Sequence, residues 1–167
     1  MLFRSADWAA VNGTSIVNYA ANGGTYVDLP ASGAVATTNY RLTASQSVTV
    51  SQSLNSLKVD TSAGAVTLTV AAGQSLSGNA ILMVGPNDLT LSGGTIGVAT
   101  VNNYVHIQGS GNLNLNTTLA DISGTDLRAW VFAGTGAGGV NIGATGSIVF
   151  SSGSNNDSLL FEGGLDR

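Results

Sequence analysis

Short runs of alternating apolar and polar residues recur at nearly constant intervals along this chain, and they constrain its fold more than any other feature. Two clear examples are Val66–Val70 and Leu89–Leu91, whose alternation is typical of strands with one buried face. Between Leu54 and Gly97 no segment shows the period of an amphipathic helix. The sequence therefore predicts an all-β protein.

Equivalent apolar positions in these runs form two series. The first, at intervals of 25, 23 and 26 by subtraction of residue numbers, is Leu57, Leu82, Val105 and Val131. The second, at intervals of 23, 24 and 27, is Leu68, Leu91, Leu115 and Ile142. This regularity is expected when each coil of a solenoid lays equivalent strands on the coil before it. We predict that residues 40–152 form stacked parallel strands and that six of these side chains are buried: Leu57, Leu68, Leu82, Leu91, Leu115 and Val131.

A β-sandwich is the alternative fold, because its strands also recur at intervals of roughly 8–12 residues. A sandwich does not require strand pairs at a near-constant interval, so the β-solenoid is favoured. Residues 1–40 lack the repeat, and we interpret them as an N-terminal cap or leader segment that covers the open edge of the first coil. Within them, Ser5–Val11 is compatible with one helical turn. Residues 41–167 are interpreted as solenoid coils, a fragment of a longer chain.

The composition excludes several classes of function. Charged residues make up 8% of the chain, against about 25% in typical globular proteins, so the polar surface must come from Ser, Thr, Asn and Gly. Five basic residues leave no patch for phosphates, which argues against a nucleic-acid partner. Cysteine is absent, which excludes disulfides and thiolate metal sites. No apolar run is long enough for a membrane-spanning helix.

Residues that could carry chemistry are few and scattered. His106, the single histidine, alternates with apolar neighbours and is predicted to face solvent. The aspartates lie singly, mostly at predicted turns, where they bond to local backbone: Asp60, Asp88, Asp121, Asp126 and Asp157. Glycosidases need two carboxyl groups within roughly 5–10 Å, and metal sites need several converging ligands. We therefore predict no catalytic residue, no cofactor site and no metal site.

Two further features are interpreted as structural. The glycine-rich segment 134–139 lacks the Lys-Ser/Thr ending of a phosphate-binding loop, and strand-like Val140–Ile142 follows it where such a loop would have a helix. Lys58, the only lysine, alternates with Leu57 and Val59. It is predicted to be an ordinary surface residue whose replacement by alanine changes stability by less than about 0.5 kcal/mol.

Several sequence segments follow one another in a characteristic order. LNSLKV at 54–59 precedes TLT at 67–69 and LSGGTI at 91–96, and GNLNL at 111–115 precedes LADI at 119–122. In this order they resemble the bacterial proteins with autotransporter-associated β-strand repeats, over most of residues 5–152. The resemblance implies a right-handed parallel β-helix that is exported to the cell surface or beyond, often within a very long passenger.

These observations predict a non-enzymatic structural or adhesive module of a surface-exposed or secreted bacterial β-helix protein. Its expected partners are surface glycans, other proteins or the neighbouring coils of a longer chain. The alternative is a carbohydrate-active β-helix enzyme or a segment of the phage tailspike type. An enzyme would need a groove in which two or more acidic side chains converge near aromatic residues, and this feature distinguishes the two functions.

Overall fold

A computed structural model describes residues 7–13, 15–98, 102–121, 129–134, 137–149 and 158–163. Within these ranges the regular secondary structure is almost entirely strand, and the one helical element is a short 3-10 turn at Ala20–Asn22. The strands are β1 (Ala9–Asn12), β2 (Ser15–Asn18), β3 (Val27–Asp28), β4 (Asn39–Leu42), β5 (Gln46–Val48), β6 (Gln52–Ser53), β7 (Ser56–Asp60), β8 (Val66–Gly78), β9 (Ala80–Val84), β10 (Leu89–Val98), β11 (Asn102–Gln108), β12 (Leu113–Asp121), β13 (Ala129–Gly134), β14 (Val140–Ile142), β15 (Ser147–Val149) and β16 (Ser158–Gly163).

Strands β3 to β16 form two parallel sheets. The first sheet has the order β16-β13-β11-β9-β7-β4-β3, and the second has the order β14-β12-β10-β8-β5, with β6 also paired to β8 and β15 to β12. In the middle of the chain, three complete coils (β7–β8, β9–β10 and β11–β12) each place one strand in either sheet. This arrangement is a β-solenoid, as the two series predict. The β-sandwich alternative is wrong, since neighbouring strands in both sheets run parallel.

The register confirms the second series of apolar residues. On adjacent strands of the second sheet, Leu68 pairs with Leu91, Leu91 with Leu115, and Leu115 with Ile142. The six side chains predicted to be buried are all at most 7% exposed. Four of them, Leu57, Leu68, Leu91 and Leu115, belong to one continuous apolar interior of the stacked coils, in which each fully buried leucine contributes about 1.5–3 kcal/mol.

The register of the first series is wrong by one residue at two positions. Leu57 pairs with Ile81, and Val105 pairs with Ile81 and Phe132. Leu82 and Val131, each one residue away in sequence, therefore lie on the opposite face of the sheet. The reason is that successive residues in both strands, 81–84 in β9 and 130–132 in β13, are all apolar and all buried. Alternation cannot define the inward face of such a strand.

The first residues of the described chain form an antiparallel hairpin. Ala9 pairs with Asn18 and Asn12 with Ser15 around Gly13, whose φ of +60° suits a tight turn. The helical turn considered for residues 5–11 is therefore wrong over residues 9–11, because their backbone groups bond across the hairpin. Farther along, β3 pairs with β4 and forms the edge of the first sheet.

Candidate binding surface

The outer side of the second sheet carries a continuous array of uncharged polar side chains, which we call the polar face. Its members alternate along β8, β10, β12, β14 and β15 with residues that point into the core. In register they form three columns across the strands: Thr67, Thr90, Asn114 and Asn141; Thr69, Ser92 and Asn116; and Ser75, Thr95, Thr118 and Ser147. Neighbours within a column are separated by the distance between strands, about 4.8 Å, and positions along a strand by roughly 6.7 Å.

Hydrogen bonds that run along the stack hold several of these side chains in place. Asn141 Nδ2 donates to Asn114 Oδ1 at 2.9 Å, and Asn114 Nδ2 donates to Asp88 Oδ2 at 3.2 Å. The hydroxyl groups of Ser147 and Thr118 lie 3.2 Å apart. A partner would therefore meet donors and acceptors that are already ordered, which lowers the entropic cost of binding.

A β-bulge divides the polar face into two halves. Gly93 of β10 pairs with Val70 of β8, but Thr95 pairs with Ser75. Between these two pairs β8 therefore contains more residues than β10. Gly93 has a φ of +83°, and a Cβ there would overlap with the carbonyl oxygen of Val70. On the other side of β10, the buried Thr117 of β12 donates a hydrogen bond from its hydroxyl group to the Gly94 carbonyl at 2.8 Å. The bulge changes the direction of the strand and so sets the relative orientation of the two halves.

Asp88 lies at the border of the polar face and has a structural role. Its carboxylate accepts hydrogen bonds from the Asn112 backbone N–H at 2.8 Å, from Asn114 Nδ2 at 3.2 Å and from Asn112 Nδ2 at 3.3 Å. These bonds, with that from the Asn112 backbone the strongest, hold the pKa of Asp88 below its usual value. The carboxylate therefore connects two successive coils and is already occupied.

Of the other aspartates singled out in the sequence, Asp60 is the one whose side-chain contacts the structure describes. Asp60 accepts a hydrogen bond from the Ser62 N–H at 2.9 Å, and its bonds to the Ser62 side chain and backbone lower its pKa. Asp60 and Ser62 are two residues apart, so this is the local bond predicted for an aspartate at a turn. Asp121 ends β12, but its side chain, like all of Asp126 and Asp157, lies outside the described residues.

His106 is placed on the outer face of the first sheet, as the alternation predicts, but it is half-buried. Its ring contacts Trp8 edge-on, with centroids 5.9 Å apart, and stacks beside Tyr104 at 6.1 Å. Burial lowers the pKa of His106, an effect that the charge of Glu162 partly opposes. In the part of the chain that the structure describes, no three His, Asp or Glu side chains are grouped as metal ligands.

Lys58 also points away from the core, but it is not an ordinary surface residue. Its side chain is 20% exposed, and its Nζ lies 3.4 Å from Asp7 Oδ1 and 5.3 Å from the centre of the Tyr26 ring. The prediction of an ordinary surface residue is therefore wrong. Alternation gives the direction of a side chain relative to its own sheet, but it does not indicate a distant segment that packs on top.

These contacts place the N-terminal hairpin on the outer face of the first sheet. In the register, Leu82 lies between Lys58 and His106, and those two side chains contact Asp7 and Trp8 respectively. Leu82 is 1% exposed although it faces outward. The hairpin therefore covers an apolar side chain that the sheet alone would leave in water.

The glycine-rich segment leads directly into a strand, as expected for a turn. Thr135 and Gly136 lie outside the described residues, but Gly138 packs so closely on Gly111 that a Cβ would overlap with the Gly111 carbonyl oxygen. Its backbone N–H donates to the Gly109 carbonyl at 3.3 Å, and β14 begins at Val140. Gly138 is therefore part of the stacked turns.

Comparison with protein-family models, with curated proteins and with solved structures finds no match to this chain. Among the described residues, no helix is long and apolar enough to cross a bilayer. Function must therefore be inferred from the surface itself.

Proposed function

We propose that this chain is a non-enzymatic structural or adhesive module of an extracellular or cell-surface bacterial β-helix protein, and that it contacts its partner through the polar face. The observation that supports this most directly is the character of that face, which is uncharged, regular and ordered by hydrogen bonds along the stack. Hydroxyl and amide groups both donate and accept hydrogen bonds. They match the hydroxyl-rich surface of a neutral glycan better than a charged ligand.

The stacked coils support the structural part of the proposal. In the interior of each sheet every strand bonds to a neighbour on both sides, so backbone groups that a protease must reach are already paired. The buried columns continue from coil to coil without a change of architecture. A stack of this kind can be extended by further coils, which is the property required of a stalk.

The environments of Asp60 and Asp88 argue against the alternative of a carbohydrate-active enzyme. Asp60 and Asp88 each have their own hydrogen-bond partners, and bonding lowers the pKa of both. A glycosidase requires a general acid with a raised pKa and a second carboxylate close to it. Neither of these two aspartates has the environment of a general acid.

A binding assay with one disruptive variant and a matched control tests the proposal. Ser92 lies in the middle column of the polar face, between Thr69 and Asn116, whereas Ser110 is an exposed serine in the turn between β11 and β12. We suggest comparing the unmodified chain with Ser92→Arg and Ser110→Arg on an array of neutral and acidic glycans and on insoluble polysaccharides. Release of reducing ends should be measured in the same samples.

The proposal predicts binding to at least one neutral glycan without cleavage. Ser92→Arg should weaken this binding at least about tenfold, because a long charged side chain would separate the partner from the face, and Ser110→Arg should not. Equal binding by Ser92→Arg would exclude the polar face as the contact surface. Sustained release of reducing ends would favour the enzyme.

A further inference from the structure

Asparagine side chains form a ladder at the turn that precedes the first sheet. Asn55 Nδ2 donates to Asn39 Oδ1 at 2.6 Å, and Asn79 Nδ2 donates to Asn55 Oδ1 at 3.2 Å. Because Tyr104 pairs with Ala80, Asn103 occupies the equivalent position one coil after Asn79. The ladder does not continue there, since Asn103 Nδ2 has no hydrogen-bond partner although the residue is only 4% exposed.

A second unpaired donor lies on the adjacent strand. Trp130 pairs with Asn103 between β13 and β11, and it is 2% exposed. Its indole Nε1 is likewise buried without a hydrogen-bond partner. Buried N–H groups are nearly always bonded, because a lost hydrogen bond to water must be replaced. Two such groups on paired residues therefore indicate a shared acceptor.

Both residues line the same cavity in the core. Its other walls include apolar side chains of the two sheets, Leu54, Leu76, Ile81 and Ile96. The cavity has a volume of about 20 Å³, and roughly 10–15 Å³ is sufficient for one water molecule. The space is therefore sufficient for one water molecule.

We propose that this cavity is a binding site for one water molecule, which accepts hydrogen bonds from Asn103 Nδ2 and Trp130 Nε1 and takes the place of the next step in the asparagine ladder. The chemistry of the site selects this ligand. A cation would be repelled by the two unpaired N–H donors, and an anion would lose its hydration among apolar walls without a positive charge to compensate. A neutral acceptor avoids both costs.

The test uses the two indole N–H signals of the isotopically labelled chain, which come from Trp8 and Trp130. We suggest recording rotating-frame cross-peaks to water, in which dipolar contact and proton exchange have opposite signs. Trp130→Phe identifies the relevant signal, and Trp8→Phe, which removes the indole on the outer face, is the matched control. Asn103→Leu removes the second donor and keeps a side chain of similar size.

We expect a dipolar cross-peak between water and the Trp130 indole N–H. It should persist in Trp8→Phe and disappear in Asn103→Leu. Absence of the cross-peak from the unmodified chain would overturn the proposal, as would an unchanged cross-peak in folded Asn103→Leu.

A measurement on the unmodified protein decides the question if Asn103→Leu does not fold. Crystals should show a density peak at roughly 2.7–3.2 Å from both nitrogen atoms. The absence of a peak near the two nitrogens would refute the bound water.

Discussion

Asp7 and Lys58, 51 residues apart in the sequence, form an ion pair of 3.4 Å in which the Asp7 side chain is only 9% exposed. The carboxylate also accepts hydrogen bonds from the backbone N–H groups of Trp8 at 3.0 Å and Ala20 at 2.8 Å and from the Tyr26 hydroxyl. One aspartate therefore connects the N-terminal hairpin, the segment before β3 and the first sheet of the solenoid.

Replacement of Lys58 tests the importance of this connection. Lys58→Ala would leave the Asp7 charge partly buried without its cation, so we expect a loss of about 1–3 kcal/mol in the free energy of unfolding, measured by denaturant titration. The matched control is Arg41→Ala, because the Arg41–Asp28 pair at 2.6 Å is exposed on both sides and should contribute little. Equal effects of the two substitutions would show that the Asp7–Lys58 pair is no more than a surface contact.

The pH dependence of stability should show the contribution of Asp7. Burial opposes ionisation of this carboxyl group, but hydrogen bonds from Tyr26 and Ala20 and the charge of Lys58 outweigh it, so its pKa lies below the ordinary value of 3.8. The unfolded state therefore binds a proton first, and the stabilisation is present above pH 3.8 and lost as the pH falls through the folded-state pKa. Asp7→Asn should reduce the acid-induced loss of stability. An unchanged slope in this variant between pH 5 and 2 would contradict the assignment.

His106 should act in a separate and higher pH range. Burial lowers its pKa below the ordinary value of 6.5, so the unfolded state binds a proton at a higher pH than the folded state does. The stabilisation is therefore complete above pH 6.5 and is lost as the pH falls through the folded-state pKa. In thermal melts, His106→Gln should lose less stability than the unmodified chain between pH 7 and 5. An equal loss of stability in both proteins over this pH range would show that His106 is exposed to solvent.

The bulge in the second sheet should tolerate only glycine at position 93. Gly93→Ala would place a Cβ against the Val70 carbonyl at a φ of +83°, and we expect a loss of at least about 2 kcal/mol in denaturant unfolding. Gly64→Ala is the control, because Gly64 has open space around its Cα and no positive φ. Equal stability of the two variants would mean that β10 does not approach β8 as described.

The sequence predicted the stack more completely than the contacts made by its outer face. Leu68, Leu91 and Leu115 could be aligned because each strand alternates cleanly, whereas Leu82 could not, because its strand is apolar on both faces. The asparagine ladder had a readable signal, since Asn55, Asn79 and Asn103 differ by 24 residues each. Nothing in the local pattern around Lys58 indicated Asp7, because that contact depends on where a distant hairpin packs.

The polar face exists only in one register of the second sheet, and this register is the central claim about the molecule. A shift by one residue would turn the threonine and asparagine columns inward and the leucines outward. In the register described, Thr69 and Ser92 are direct neighbours on adjacent parallel strands, at a separation that a disulfide can bridge. The chain has no cysteine of its own, so a pair of introduced cysteines reports on that contact alone.

The most direct measurement is disulfide formation in the double variant Thr69→Cys/Ser92→Cys under mild oxidation, followed by intact mass spectrometry. The control is Thr67→Cys/Ser92→Cys, whose first cysteine lies one column away on the same strand. We predict rapid and nearly complete cross-linking of the first pair and little of the second. Preferential cross-linking of the control pair, or none in either, would contradict the register and with it the polar face.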